Sequence, residues 1–298
     1  MLKNFYFNKI KILERSTELF YQKIPKNSSF SQLKIGCELE FFLLDKDKKP
    51  LNNLNEINIF CNLVGGKREQ GDGQIELVFN FTDNLLYLAS EMEKSKQEII
   101  NLAKQKNLIA CFEGKPFEDD CGSSLQFNVT LHDYNGANIF YENNPLIDYC
   151  ATGLLDLTNF MLPFISPDAN DYRRFDLNNN KKLFRNHKYV APVNLSLGND
   201  NRSCAIRICK SYDNPNCKRL EYRVASASCD AWLGISAVVL ALEYGLKNHK
   251  SFYKTIYGNA FDEIYRLSKI SSNHQEAIEI FFDKNNYILK KFEEFIRN

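Results

Sequence analysis

The chain has 298 residues, 44% of them hydrophobic, which is enough apolar material for one large domain or two small ones. Its net charge is +1 and no basic stripe or acidic tail stands out, so the sequence argues against nucleic acid as a partner and against a solvating segment. The nine cysteines contain no CxxC pair, and no two of the four histidines have the spacing of zinc ligands. This cysteine usage is typical of a reduced, cytoplasmic protein whose thiols are small core residues.

No segment of the sequence indicates a membrane protein. The N-terminal MLKNFYFNKIKILER mixes lysines with apolar residues and has no uninterrupted hydrophobic stretch, so we expect no signal peptide. The most apolar segment, residues 231–246, contains Glu243 and is short for a bilayer span. It predicts a buried helix, and we expect no membrane contact.

The predicted elements begin with an amphipathic helix and then mix strands with helices. The sequence predicts helices over residues 8–24, 85–106, 146–162, 229–247, 258–269 and 274–297. It predicts strands over residues 33–45, 57–64, 74–81, 108–113, 124–132, 189–197, 204–209 and 219–225. PKNSS at 25–29 is expected to end the first helix, and residues 163–187 indicate a long loop of the kind that is often functional. The order predicts an α+β fold, an antiparallel sheet with helices packed on one side.

Two glutamates interrupt the apolar run IGCELEFFLLD, residues 35–45. Glu38 and Glu40 lie one residue apart. Because side chains alternate across a strand, both carboxylates are expected on the same face.

Further charged side chains follow the same pattern in other predicted strands. Glu69 and Glu76 lie in EQGDGQIEL, residues 69–77. In RLEYRV, residues 219–224, the face shared by alternate residues carries Arg219, Glu221 and Arg223. For any one of these patterns, a solvated strand face with ion pairs of little energetic weight is an equally good interpretation.

Taken together, the five glutamates favour a metal site. They would repel each other in one sheet unless some are protonated or positive charge lies between them. Mg²⁺ or Mn²⁺, which prefer oxygen ligands, would supply that charge. Arg202 and Arg207 in NRSCAIRI suit phosphate or carboxylate oxygens. Carboxylates for metal and arginines for anions are the equipment of phosphoryl transfer, although no Walker A motif or kinase glycine loop is present.

These segments resemble the catalytic domain of glutamine synthetase from about Lys34 to Leu246. GCELEFFLLD is similar to the family's GxExEFFLFD strand, and EQGDGQIEL to its E-x-x-x-GQ-x-E segment. The other matching segments, in the same order as in the family, are KPFEDDCGSSLQFNVTL, SPDANDYRRF, APVNLSLGNDNRSCAIRI and RLEYRVASASCDAWLGISAVVLA. The resemblance implies a glutamine-synthetase-like catalytic domain with a curved antiparallel sheet over residues 33–298, after a short helical segment at 1–32.

The resemblance also implies an ATP-dependent ligase, in which ATP phosphorylates a carboxylate and an amine attacks the acyl phosphate. The partners it implies are a small-molecule carboxylate and a small-molecule amine. Carried over by position, the metal ligands would be Glu40, Glu69 and Glu76 for one ion, and Glu38, Glu221 and Gln126 for a second. Arg174 and Arg202 would hold the amino-acid substrate, while Arg207, Arg219 and Arg223 would face phosphates. Phe81 and Thr130, with Arg207, fall where the family contacts the nucleotide.

The sequence departs from the family pattern at several of these positions. Gln126 and Asn128 stand where the family has two histidines, and Gln126 is at the metal-ligand position. Val190 replaces the flap glutamate that accepts a proton from ammonium, and Cys121 replaces a substrate-binding asparagine. We therefore expect that glutamate and ammonia are not the substrates.

Only about thirty residues precede the first match, whereas the family has an N-terminal β-grasp domain that completes a neighbour's site. The expectation is a monomer or small oligomer with its site inside one chain. A glutamate–cysteine-ligase-like or guanidino-kinase-like chemistry remains open. So does the opposing class, a non-catalytic regulator that binds a nucleotide or an amino acid.

Overall fold

The computed structural model describes residues 1–23, 30–141, 145–211, 213–251 and 253–297. Within these ranges the strands are β1 (Gln32–Leu44), β2 (Lys67–Arg68), β3 (Gln74–Thr82), β4 (Ile109–Cys111), β5 (Leu125–His132), β6 (Leu197–Asn199), β7 (Ile206–Cys209) and β8 (Arg219–Tyr222). The α-helices are α1 (Leu2–Phe7), α2 (Lys9–Lys23), α3 (Leu54–Val64), α4 (Leu85–Gln105), α5 (Leu146–Ile165), α6 (Leu177–Arg185), α7 (Ala231–Asn248), α8 (His274–Phe281) and α9 (Tyr287–Arg297). The PKNSS segment, predicted to end the first helix, lies outside the described residues.

The strands form one sheet in the order β2-β3-β1-β5-β8-β7-β6, with β4 paired to β1 beside this path. Every pair of named strands is antiparallel except β6 and β7, which run parallel at one edge. The predicted α+β class is therefore confirmed, with a sheet that is mixed at that edge.

The two faces of β1 differ in chemistry. Its odd-numbered side chains, from Leu33 to Leu43, are buried among the hydrophobic residues that the helices contribute. Helices α5 and α7 supply much of this core, and Gly153 and Gly245 allow close contact, since a Cβ at either would lie 2.1 Å from a carbonyl oxygen of the other helix. The even-numbered Glu38 and Glu40 lie on the opposite face, because successive strand residues alternate.

The N-terminal helices pack onto the same core. The ring of Phe5 contacts those of Phe164, Phe281 and Phe292 at centroid distances between 5.6 and 6.4 Å. Phe20 of α2 is fully buried as well. A separate unit at residues 1–32 remains a prediction about domains, whereas the packing of its helices is an observation.

Two predicted elements are wrong because capping residues outweighed composition. The predicted strand over residues 57–64 is part of α3, where Asn53 caps the amide nitrogens of Asn55 and Glu56, and Gly65 ends the helix in the left-handed region. The predicted loop over residues 163–187 contains a 3₁₀ helix at Ala169–Phe175 and then α6, which Asp176 caps.

Two further predictions are wrong because these segments contain less regular structure than predicted. The strand predicted over residues 189–197 shrinks to β6, which begins at Leu197. The helix predicted over 258–269 is irregular apart from a short 3₁₀ turn at Glu263–Tyr265. Among the helices of the described ranges, none is long and apolar enough to cross a membrane. All nine cysteines lie within those ranges as free thiols.

Candidate functional site

The pairing register gathers the charged side chains onto one face of the sheet. Residues directly opposite in an antiparallel pair point to the same side. The opposing Cα partners are Glu40–Glu76, Glu38–Gln126, Asn128–Glu221 and Arg207–Glu221. Four strands that are distant in sequence thus place their charges on one surface.

A pocket lies over this face and is closed by residues 189–192. Its lining includes the predicted Glu40, Glu69, Glu76 and Gln126 and the arginines Arg174, Arg202 and Arg223, together with Cys121 and Val190. The enclosed volume is about 40 Å³, and a space that holds water needs at least roughly 10–15 Å³. The pocket in this state therefore has room for an ion or a few waters, and a nucleotide would have to approach from outside it.

Glu40 is a buried predicted ligand at the acidic end of the site, defined here as Glu40, Glu69 and Glu76. Its carboxylate accepts hydrogen bonds from the Ser124 amide at 2.8 Å and from Gln126 Nε2 at 3.0 Å. Burial raises its pKa to about 7, and the charges of Glu69 and Glu76 add to the rise, while the Ser124 hydrogen bond opposes it. The neutral and charged forms of Glu40 are thus close in free energy near neutral pH.

Glu76 has a partner that the sequence did not suggest. The Lys67 ammonium lies 2.9 Å from Glu76 Oε1, and the Cα atoms of the two residues are directly opposite in the β2–β3 pair. Burial nevertheless raises the pKa of Glu76, and Lys67 only partly opposes that rise. The acidic end therefore carries more negative charge than its protein partners neutralise.

Glu221 has the opposite balance at the arginine end of the site, defined here as Arg207, Glu221 and Arg223. Its carboxylate accepts from Arg223 at 2.5 Å and from Arg207 at 2.9 Å. Burial raises the pKa of Glu221, but these two guanidinium groups lower it by more than burial raises it. The pKa therefore lies below the usual value. Asp200 is the second partner of Arg207 and accepts from its Nε at 2.8 Å.

Glu38 lies between the two ends. It accepts a hydrogen bond from Asn128 Nδ2 at 3.2 Å, and the nearest guanidinium nitrogen of Arg219 is 4.0 Å away. Burial raises its pKa, and the nearby charges of Glu76 and Glu221 raise it further. Arg219 is held mainly by Asn128, whose Oδ1 accepts from its Nε at 2.6 Å.

The two arginines predicted to hold substrate differ in availability. Arg174 is buried and donates to the Val224 carbonyl at 2.9 Å and to Ser226 Oγ at 2.8 Å, and burial lowers its pKa to about 10. Arg202 is exposed, lies 5.5 Å from the Tyr189 ring centroid and forms no ion pair with a described residue. The Nε atoms of Arg174 and Arg223 are buried and have no hydrogen-bond partner among the residues that the structure describes. All three arginines line the pocket.

The two predicted nucleotide contacts also differ. Phe81 is exposed, and its ring lies beside Gly36, where a Cβ would come within 3.3 Å of it. Thr130 is buried, and its hydroxyl lies 3.0 Å from His132 Nε2. Of the two, only Phe81 presents a surface to a ligand in this state.

The donor set fits a divalent cation better at the acidic end than at the arginine end. Glu40 and Glu76 are buried carboxylates without full compensation, which are the oxygen ligands that Mg²⁺ and Mn²⁺ prefer. Glu221 is already neutralised by arginines, and Gln126 Oε1 accepts from Arg223 at 2.9 Å. Within the described residues no three His, Cys, Asp or Glu side chains are arranged as a preformed metal site. A cation would therefore draw the acidic side chains together rather than enter a finished cage.

The segment over the pocket is held by side chains from the sheet and its loops. Gln70 donates to the His187 carbonyl at 3.0 Å, and its Oε1 accepts from the Tyr189 amide. Lys188 pairs with Asp120 at 2.6 Å. The position of Val190 in the pocket wall follows from these contacts.

Sequence reasoning missed Lys67 and Asp200, although signals for both were present. The Gly-Asp-Gly sequence at residues 71–73 indicates a turn, and the hairpin that it closes places Lys67 opposite Glu76. Asp200 directly precedes the NRS motif that contains Arg202. Lys67 pairs with Glu76, which the resemblance assigns to metal binding. Asp200 pairs with Arg207, which the resemblance assigns to phosphate binding.

Comparison with known sequences now identifies the family. The sequence profile described as the catalytic domain of glutamine synthetase matches residues 51–297. This match covers well over half of the chain, which therefore belongs to the glutamine synthetase family.

Individual relatives are similar over a part of their length. Gamma-glutamylputrescine synthetase of Escherichia coli (strain K12) is 25% identical over 269 residues, which cover 77% of this chain and 54% of that protein. Glutamine synthetase of Mycobacterium bovis is 32% identical over 212 residues, which cover 69% of this chain and 41% of that protein. The chain spans about half the length of the curated relatives it matches.

Solved structures show the same fold. The cryo-EM structure of Plasmodium falciparum glutamine synthetase aligns with a TM-score of 0.72 at 19% identity and covers 97% of this chain and 74% of that one. GmaS in complex with ADP aligns with a TM-score of 0.72 at 16% identity and covers 95% of this chain and 72% of that one.

Proposed function

We propose that this protein is an ATP-dependent ligase, requiring Mg²⁺ or Mn²⁺, that phosphorylates a small carboxylate and joins it to an amine. The observation that carries the proposal is the juxtaposition in one pocket of under-neutralised carboxylates with the guanidinium of Arg202, which forms no ion pair within the described ranges. Such a pocket suits a cation and an anion together, which is the requirement of phosphoryl transfer.

In this proposal Glu40, Glu69 and Glu76 hold one cation, and Glu38 and Glu221, with Gln126, hold a second. A bound divalent cation would neutralise phosphate oxygens and so make the phosphorus easier to attack. Glu40 and Glu76 contribute carboxylate oxygens. Without metal, these carboxylates repel each other and their charge is only partly neutralised. The arginine end needs a rearrangement, since Glu221 would have to share its arginines with the incoming anion.

The anion contacts divide between fixed and available donors. Arg202 binds the substrate carboxylate from the exposed side, while Arg174 shapes the pocket floor through its bonds to Val224 and Ser226. Arg207, Arg219 and Arg223 face the phosphates, and Phe81 offers its ring to the nucleotide. The attacking carboxylate oxygen forms a bond to the γ-phosphorus as the bond to ADP breaks. The amine nitrogen then displaces phosphate and loses a proton.

The acceptor is an amine other than ammonia. Val190 in the pocket wall can neither accept a proton nor stabilise a cation, and loss of a positioned proton acceptor lowers rates by roughly 10²–10⁴-fold. A mixture of glutamate, ammonia and ATP is therefore expected to give little or no glutamine. Formation of glutamine at an ordinary enzymatic turnover would contradict this part of the proposal.

The test combines turnover with metal binding. Phosphate release from ATP is measured with arrays of amino acids and amines, and thermal melts are recorded with Mn²⁺ and with EDTA. We expect phosphate release with at least one carboxylate–amine pair, and a rise in Tm with Mn²⁺ because a ligand that binds only the native state stabilises it. Glu76→Gln should reduce both, whereas the exposed Glu98→Gln, with the same change in charge, should reduce neither.

A non-catalytic binding protein is the second candidate. It is favoured by Asp200, whose carboxylate already occupies Arg207, a side chain that the enzyme would need for phosphates. This candidate predicts that Mn²⁺ and nucleotide raise Tm while no amine or carboxylate produces phosphate.

In either case we propose a monomer or small oligomer with its site in one chain. Light scattering tests this proposal, and a dodecamer would contradict it.

A further inference from the structure

We infer that Lys67 is a built-in competitor for the divalent cation, because its ammonium occupies on Glu76 the place that the cation would take. The inference rests on the proposed metal site and goes beyond it, since it concerns a side chain that supplies no metal ligand. It makes Lys67 a determinant of metal affinity.

The geometry of the pair supports competition. Lys67 Nζ lies 2.9 Å from Glu76 Oε1, a buried oxygen of a side chain that lines the pocket. Glu76 exposes 6% of its side chain and Lys67 exposes 66%. The carboxylate is therefore fixed in the site, whereas the ammonium reaches it from solvent on a long, flexible stem.

The energies also favour displacement over permanent pairing. The Lys67 ammonium is mostly exposed, so it can return to water and leave the pair at little cost. A divalent cation brings twice the charge and contacts oxygen at roughly 2.0–2.2 Å, closer than an ammonium can. The two cations would repel each other if both stayed on one oxygen, because like charges a few ångströms apart interact strongly near a protein surface. Binding of the metal therefore requires Lys67 to swing away.

The test measures Mn²⁺ affinity directly, by the EPR signal of free Mn²⁺ and by calorimetry, in the full chain. Lys67→Met removes the competing charge and keeps the apolar stem, and we expect it to bind Mn²⁺ about three- to tenfold more tightly. Lys67→Arg keeps a cation and should stay near the wild-type affinity. Arg68→Met removes the same charge one residue later on the same strand, where the side chain points to the other face, and should change the affinity by less than about twofold.

The outcomes separate this inference from the proposed function. Unchanged Mn²⁺ affinity in Lys67→Met, with clear binding by the wild type, would overturn the inference and leave the metal site intact. Weaker binding would also overturn it and would make Lys67 a residue that positions Glu76. Absence of Mn²⁺ binding in every variant would remove the metal site and the inference with it. Melts in EDTA check that each variant is folded.

Discussion

The two ends of the site carry the same side chain in opposite electrostatic states. At the acidic end, Glu40 is buried with mostly negative neighbours, and its pKa rises to about 7. At the arginine end, Glu221 is also buried, yet Arg223 and Arg207 hold its pKa below the usual value. Burial raises the pKa of both carboxyl groups, so the difference comes from the neighbouring charges. A motif that supplies a glutamate does not by itself determine what that glutamate does.

The comparison has a consequence for ligand binding. A cation gains most where negative charge is under-neutralised, and an anion gains most where guanidinium groups can be released from their present partners. The acidic end is therefore where a cation would gain most in the proposed function. The arginine end is satisfied until a phosphate or carboxylate competes for its donors.

The largest effect is expected from removing one arginine at the arginine end. Arg223→Met leaves Glu221 with Arg207 as its remaining close partner and removes the donor to Gln126 Oε1. Breaking a buried pair in this way should lower the free energy of unfolding by about 3–5 kcal/mol, measured by urea denaturation at pH 7.

Arg219→Met provides the matched control for that variant. Arg219 is more exposed and lies 3.9 Å from Glu221, so its loss should lower the free energy of unfolding by about 1 kcal/mol or less. Equal losses in the two variants would show that Glu221 does not depend on its direct partners.

The next effect concerns the pH dependence of the acidic end. Because the pKa of Glu40 is about 7 when folded and about 4.3 when unfolded, the folded protein binds the extra proton between these values. Protonated Glu40 therefore stabilises the fold at low pH. As pH rises from about 4.3 through about 7, this contribution is lost and the free energy of unfolding falls by roughly 2–4 kcal/mol.

Glu40→Gln should remove that part of the slope. Urea denaturation in EDTA between pH 5 and 8 measures the slope, and Glu98→Gln serves as the exposed control that should keep the wild-type profile. Identical slopes in all three proteins would mean that Glu40 is ionised throughout. Adding Mn²⁺ should stabilise the wild type more at pH 8 than at pH 5, because the metal binds the ionised carboxylate.

The smallest effect should come from Glu38, which lies between the two ends. Its raised pKa assigns it to the acidic end, so Glu38→Gln should stabilise the metal-free protein at pH 8, by less than about 1 kcal/mol since the side chain is partly exposed. A clear loss of stability, measured in the same urea series, would place Glu38 with the arginine end instead.

Several features of the site could be predicted from local sequence. The alternation of side chains places Glu38 and Glu40 on one face without any knowledge of their neighbours. The family motifs contain some of the residues that line the pocket, among them Arg202 and Gln126. The long helices α4, α5 and α7 also lie close to where periodicity placed them.

Other features depended on contacts that local sequence does not encode. Caps at Asn53 and Asp176 turned a predicted strand and a predicted loop into helices. The partners of each charge came from register between strands that are far apart in the chain, as with Arg207 and Glu221 or Lys67 and Glu76. A periodic pattern fixes the face of a strand, but the electrostatic state of a carboxylate depends on charges within a few ångströms, and only the pairing of the strands brings those charges together.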